Sequence, residues 1–185
     1  MSYLITCSGS KVEINQINIS TLNNLSFQQL NPTRQILIEE YQITKQTILD
    51  WNMCLPAWQL YSGTRAKLYP QVSNINWTNP NTDVTILSAL FGLIKHTDLI
   101  PFYDLAMTDR IIIDYNLIYV FDYWRNYINL NNFINPLIDI DLLSGKYRKA
   151  FNADENPVAN VPNIVWNDRY GVHKGVWLNT QLDLI

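Results

Sequence analysis

The sequence is short of the residues that usually advertise chemistry. Its 185 residues include two cysteines, Cys7 and Cys54, and two histidines, His96 and His173. They lie far apart and show neither CxxC nor HExxH spacing, so no metal site and no cofactor is expected, and the cysteines read as buried free thiols. Charge is scarce as well: 16% of residues are charged, and 13 Lys and Arg against 16 Asp and Glu leave a net charge of -3. That average argues against a surface coated in positive charge for indiscriminate nucleic-acid binding. No apolar run reaches the roughly eighteen residues of a membrane span. The opening MSYLITCSGSK lacks the basic end and long apolar core of a secretory signal, so a cytoplasmic protein with no membrane partner is expected. Sequons at Asn18, Asn24 and Asn76 follow from the abundance of Asn and are discounted.

What is present is hydrophobic material, 48% of the chain, enough for one compact domain over residues 1–185. There is no repeat and no linker rich in Gly, Pro or Ser. The run YLITC at 3–7 ends in Ser-Gly-Ser, as a buried strand entering a tight loop does. Asn31 and Pro32 open a helix expected over 32–51. Pro56 starts another through Trp58, Leu60, Tyr61 and Leu68, interrupted at Ser62-Gly63. DVTILS at 83–88 is a second strand, and 89–110 reads as a long irregular connection at the surface. Leu117, Phe121, Trp124 and Ile128 share a helix face. LIDIDLLS at 137–144 gives a third strand. NIVWN and GVWLNTQ around Asp168–Tyr170 suggest a terminal hairpin. Strands alternating with helical segments imply an α/β fold: a single domain with a mostly parallel central sheet, flanked by helices and followed by a C-terminal hairpin.

Three strands deliver similar material at their carboxyl ends: Cys7-Ser8-Gly9-Ser10-Lys11, Ser88-Ala89-Leu90-Phe91-Gly92, and Ser144-Gly145-Lys146-Tyr147-Arg148-Lys149. Open parallel sheets bind ligands in the crevice outside those ends. If the strands are neighbours, serine hydroxyls, backbone N–H groups near glycine and Lys or Arg charges meet there, which is what a phosphate requires. Ten basic residues, Lys11, Arg65, Lys67, Lys95, Arg110, Arg125, Lys146, Arg148, Lys149 and Lys174, fall in or beside the singled-out segments. Ser8-x-x-Lys11 has the spacing of penicillin-binding enzymes, but that chemistry starts on a helix and this pair follows a strand. Tyr61, Phe102, Tyr103, Tyr147 and Trp166 offer faces for a stacked base, Tyr61 and Tyr103 foremost. Asp98 and Asp104 are the nearby acids, for general-base work or for a sugar hydroxyl, with helix capping or solvent exposure as their ordinary role.

These segments resemble a known family. LITCSGSK, LPAWQLYSG, TILSALFGLIKHTDLIPFYDLAM, YVFDYWRN and IDLLSGKYRKAF recur in the order seen in the peroxide stress protein YaaA (UPF0246) family and its shorter relatives, over about residues 3–151. Ser88, Gly92, Asp98, Leu99, Pro101, Tyr103 and Met107 match its most specific string. Ser144, Tyr147 and Phe151 match a later one, in which Gly145 and Lys146 replace the usual acidic pair. The resemblance implies an α/β fold with a positively charged cleft, a cytosolic home, DNA binding and, in full-length members, protection from peroxide. A weaker similarity of Cys-Ser-x-x-Lys and Tyr-Ser to the uracil-glycosylase-like domain of archaeosine synthase suggests a nucleobase or nucleoside ligand. The longer helical insert and basic K-x-A-R-G segment of full-length members are not found in this sequence, so a nucleotide or short single strand is the expected partner rather than a long duplex.

Two functional classes follow. One is an enzyme acting on a nucleobase, nucleoside or nucleotide, cleaving or exchanging an N-glycosidic bond. Its catalytic candidates are Lys11, Ser8, Asp98 and Asp104, and its ligand contacts Cys7, Gly9, Ser10, Tyr61, Ser62, Arg65, Ser88, Gly92, Pro101, Tyr103, Ser144, Lys146, Tyr147 and Lys149. The other is a non-catalytic DNA- or RNA-binding protein that uses the same basic residues on phosphates. A subunit whose aromatics serve a protein partner ranks third.

Overall fold

A computed structural model describes residues 1–127, 138–152, 154, 156–162 and 171–185. Its centre is β1 (Ser2–Thr6), four of whose five residues are buried. β3 (Asp83–Ser88) and β8 (Ile140–Asp141) flank it, both parallel, in registers Tyr3↔Val84 and Tyr3↔Ile140. A strand covered on both faces carries a continuous apolar run, which is why YLIT shows no alternation. β4 (Gly92–Lys95) completes the sheet antiparallel to β3, with Ser88 opposite Gly92. The sheet is thus mostly parallel, and the α/β expectation holds.

The surface connection expected over 89–110 is instead largely interior. Ala89 to Ile94 are buried. Leu99–Pro101 (β5) pairs antiparallel with Cys54–Pro56 (β2). The reversal into β4 depends on Gly92, whose φ of +64° belongs to the left-handed region. A Cβ there would also lie 2.8 Å from the indole of Trp124. Trp124 belongs to α4 (Val120–Tyr127), and its Nε1 donates to the Ala89 carbonyl at 2.8 Å. The helix face expected from 117 to 128 is shorter: Leu117 sits on β7 (Asn116–Tyr119), which pairs with β6 (Arg110–Ile113), and Ile128 lies outside the described residues.

α1 (Asn31–Lys45) has Pro32 in its first turn and stops short of the expected Trp51. Gln46 enters the left-handed region at φ 50°, and Thr47 N–H returns to the Gln42 carbonyl, the backbone closure that ends many helices. The second helix also ends early, as α2 (Ala57–Leu60), before the chain turns at Ser62-Gly63. α3 (Asn74–Thr78) is capped by Ser73, whose hydroxyl accepts from Asn76 N–H. Gly145–Arg148 forms the short α5. The expected terminal hairpin is overturned for its second half: GVWLNTQ lies within a helix, α6 (Val172–Leu182). NIVWN and Asp168–Tyr170 lie outside the described residues. The buried set Lys174, Leu178 and Leu182 recurs every four residues, a helical signal that the β-branched flavour of the segment masked.

Arg34 is fully buried on α1 and clamps the β3–β4 reversal. Its guanidinium donates to the carbonyls of Phe91 at 2.7 Å, Leu93 at 2.5 Å and Ser26 at 2.8 Å. Burial pulls its pKa down to about 10, partly offset by the Asp98 carboxylate, so it stays charged at neutral pH. Arg34→Met leaves those carbonyls without donors and should cost about 3 kcal/mol, read from urea unfolding. A loss below about 1 kcal/mol would show that the reversal does not need the clamp.

Candidate functional site

The order β4-β3-β1-β8 makes the carboxyl ends of β3, β1 and β8 neighbours, so the three loops singled out in sequence do meet. Cys7 N–H donates to the Leu87 carbonyl at 3.1 Å, and Cys7 Sγ lies 3.3 Å from the Tyr147 hydroxyl. Ser8 Oγ accepts from Ser10 N–H at 3.1 Å, turning the chain, and Ser10 Oγ accepts from Arg65 N–H at 3.0 Å. Val12 N–H reaches the Leu60 carbonyl. Gly63 makes this docking possible: a Cβ there would stand 2.6 Å from Ser10 Oγ and 2.7 Å from Lys11 N. Gly9 is exposed, and a Cβ on it would meet nothing within 4 Å, so this part of the loop faces open space.

Beneath the loop three hydroxyls close a triangle. Tyr61 and Tyr103 are 2.7 Å apart, Tyr61 donates to Ser88 Oγ at 3.0 Å, and Ser88 Oγ is 2.9 Å from the Tyr103 oxygen. Ser88 also accepts from Phe91 N–H at 3.2 Å. Burial holds the phenols of Tyr61 and Tyr103 well above their ordinary pKa, so both stay protonated. Their rings are 0% and 1% exposed, so neither offers a free face to a base as expected. The Tyr103 face carries Lys11 instead, with Nζ 4.2 Å from the ring centroid and 5.9 Å from that of Tyr61. Lys11 is half-buried, and desolvation lowers its pKa, opposed by the negative fields of Asp104 and Asp109. Asp109 is an acid that the sequence reading missed.

The loop also lines a cavity of about 230 Å³. Thr6 to Gly9 form one wall, and Arg65, Lys67, Tyr69, Gly171 and Lys174 contribute to the rest. Lys174 is buried in the first turn of α6, with Nζ 3.3 Å from the Leu142 carbonyl just after β8. Tyr69 donates to the Thr6 carbonyl at 2.6 Å. Among the described residues that line it there is no Asp or Glu.

Several candidates are not brought to the crevice. β4 leaves it at Gly92 and ends beside the start of β3, so Asp98 lies at the opposite end of the sheet. There its carboxylate accepts from Ser26 N–H at 2.9 Å, Ser26 Oγ at 2.7 Å and Lys95 N–H at 3.0 Å, the capping role rather than general-base work. Pro101 is buried opposite Cys54 in β5, and Gly92 packs on Trp124. Ser62 Oγ is engaged with the Trp58 carbonyl at 2.7 Å. Lys149 Nζ faces the Phe121 ring at 5.5 Å. Ser144 and Lys146 are exposed, Asp104 is exposed but near enough for its charge to act on Lys11, and Trp166 lies outside the described residues. Among the described residues no group of His, Cys, Asp or Glu is placed to hold a metal ion, and Cys7 and Cys54 are free buried thiols. No described helix is long and apolar enough to cross a membrane.

The lowered Lys11 pKa gives this geometry a direct check. A lysine whose ammonium is desolvated reaches its neutral, nucleophilic form at lower pH than an ordinary one. Acylation mapped by mass spectrometry against pH should therefore show a Lys11 midpoint below the usual lysine value. Gly63→Ala should push the loop outward and return that midpoint upward. An unchanged profile in the variant would show that the Gly63 contact does not set the Lys11 environment.

The profile of the family described as peroxide stress protein YaaA matches residues 9–174. A UPF0246 protein of Malacoplasma penetrans (strain HF-2) is 30% identical over 159 residues, covering 82% of this chain and 61% of its own length. The chain thus spans about three fifths of the curated relative it matches. Taken with the three loops that carry the family's strings to one end of the sheet, these matches make the chain a member of the peroxide stress protein YaaA (UPF0246) family.

Proposed function

We propose that the crevice takes a nucleotide, free or as part of a short nucleic-acid strand, with its phosphate in the basic cavity and its sugar and base toward Lys11. The observation that carries this reading is the convergence of Arg65, Lys67 and Lys174 on one cavity beside the Cys7–Gly9 loop. A chain of net charge -3 gathers cations there against its own average, as an anion site requires. At about 230 Å³ the cavity is smaller than the about 300–1,000 Å³ of most small-molecule pockets, so it suits one end of a nucleotide rather than the whole. Lys11, drawn toward its neutral form and within the fields of Asp104 and Asp109, is the group suited to act on the bound nucleotide. Cleavage or exchange of an N-glycosidic bond is the reaction class this favours, in the setting of peroxide stress for which the family is named.

A second reading, a non-catalytic binding protein, draws support from Asp98, which is engaged at the far end of the sheet and leaves Lys11 without that acid. Calorimetry with a nucleoside 5′-monophosphate, the matching nucleoside and inorganic phosphate tests the binding that both readings share. The monophosphate should bind at least about tenfold more tightly than the nucleoside, about 1.4 kcal/mol, and more weakly as salt rises. Lys67→Ala should remove most of that difference. Equal affinities would overturn the phosphate assignment. Base release from the nucleotide, lost in Lys11→Ala while binding persists, separates enzyme from binder.

A further inference from the structure

Along the outer side of α1 the chain carries isoleucine where a surface helix ordinarily carries polar residues. Ile36 and Ile43 stand seven positions apart, two turns along one face, and are 46% and 70% exposed. Beyond the helix end Ile48, 86% exposed, shares a depression with Ile43. Single exposed isoleucines need no account, but a row of them does. Ile48 is also held out by the backbone rather than left on a loose end. Gln46 turns the chain at a left-handed φ of 50°, and Thr47 N–H donates to the Gln42 carbonyl at 3.1 Å. Leu49 N–H then donates to Gln42 Oε1 at 2.9 Å, and its own side chain is buried. The main chain is thus pinned on both sides of an isoleucine that it presents to water.

Two open depressions, of about 920 and 510 Å³, share Thr47 and Ile48 as a common wall. Glu39 and Ile43 line the first; Glu13, Ile14, Asp50, Met53 and Phe102 line the second. Met53 and Phe102 meet there because β2 and β5 pair with Cys54 opposite Pro101, which sets the residues just outside that pair side by side. Phe102, an aromatic face that the sequence offers to a base, therefore lies among carboxylates. Glu13, Glu39 and Asp50 are all exposed, and among the described residues that line the two depressions there is no Lys or Arg. Lys45 is exposed on α1 but stands two residues from Ile43, a spacing that puts it on another side of the helix. Carboxylates around an apolar groove repel a strand of phosphates, and they repel a second copy of the same groove. They attract a segment that sets Lys or Arg beside apolar side chains.

We propose that this groove docks a basic amphipathic segment of another protein, its apolar residues on either side of Ile48 and its cations on Glu13, Glu39 and Asp50. A helix presents such a pattern at i, i+3, i+4 and i+7, the same spacing that separates Ile36 from Ile43. Because Ile48 is ordered before anything binds, docking spends little entropy on arranging it. The groove is also joined to the crevice through the chain. Ile14 comes three residues after Lys11, and Phe102 immediately precedes Tyr103, on whose ring the Lys11 ammonium rests. A docked partner is thereby held against the segments that carry Lys11 and its aromatic support.

The test uses labelled synthetic peptides read by fluorescence anisotropy: an amphipathic helix of Leu and Lys, the same helix with Glu for Lys, and a Leu/Lys peptide of equal composition with its Leu residues scattered. The first should bind at least about tenfold more tightly than either control, and more weakly as salt rises. Ile48→Ser should cut that affinity at least about tenfold while the thermal midpoint stays within about 2 °C, because the side chain lies outside the core. Glu13→Gln combined with Glu39→Gln, both at exposed positions, should bring the Leu/Lys helix to within about threefold of its Glu counterpart. That pair decides the matter if Ile48→Ser unfolds the protein. Equal binding of the two helices by the parent, binding unchanged in the variants, or no binding at all would overturn the proposal. A dimer seen in sedimentation and lost in Ile48→Ser would give the groove to a second copy, and Ile48-dependent capture by phosphatidylcholine vesicles would give it to a lipid surface; either result overturns the basic partner.

Discussion

The hydroxyl triangle of Tyr61, Ser88 and Tyr103 is the contact on which the rest of the site depends. It joins the end of α2, the end of β3 and the segment after β5 in one buried knot. Each oxygen finds partners within it, so three polar groups are carried into the interior without an unmet hydrogen bond. Because burial keeps the phenols protonated, the knot brings no negative charge under Lys11. The ammonium rests on an aromatic face and not on a carboxylate. That leaves its N–H groups for whatever enters the crevice.

Other buried charges serve as struts around this knot. Arg34 ties α1 to the β3–β4 reversal. Asp141 and Arg148 form an ion pair at 2.9 Å with almost no exposure, and Asp141 also accepts from Leu143 N–H and Val158 N–H. That pair fixes α5 to the end of β8 and so places Tyr147 against Cys7. Buried pairs of this kind add little to net stability but strongly penalise the loss of one partner. They act here as locators: they determine where loops lie at the carboxyl ends of the strands.

The parallel core and the meeting of the three loops were legible in the sequence because they rest on short-range signals. An apolar run followed by Ser and Gly marks a strand end wherever it occurs, and three such ends in an α/β chain converge by topology. The role of Asp98 was not legible, since its distance from Ser88 along the chain hides that β4 carries it to the other end of the sheet. The stacking expected of Tyr61 and Tyr103 failed for a related reason: the residue type shows an aromatic face, but only packing shows that the face is covered. Lys174 directly precedes a segment, GVWLNTQ, that reads as strand because Val and Trp favour that reading locally. The tertiary fit of Gly175 against Leu68 favours a helix instead.

That last contact determines how the cavity is gauged. A Cβ on Gly175 would come within 2.4 Å of the Leu68 carbonyl oxygen, so α6 and the turn that bears Arg65 and Lys67 touch almost backbone to backbone. The gap between the walls is therefore a property of main-chain contact, and the charges that line it come from side chains on either side. Width and polarity are in this sense separate dials. Exchanging one cation for another would change the charge of the cavity without altering its width, whereas a single methyl group at position 175 would open the gauge and leave every charge in place.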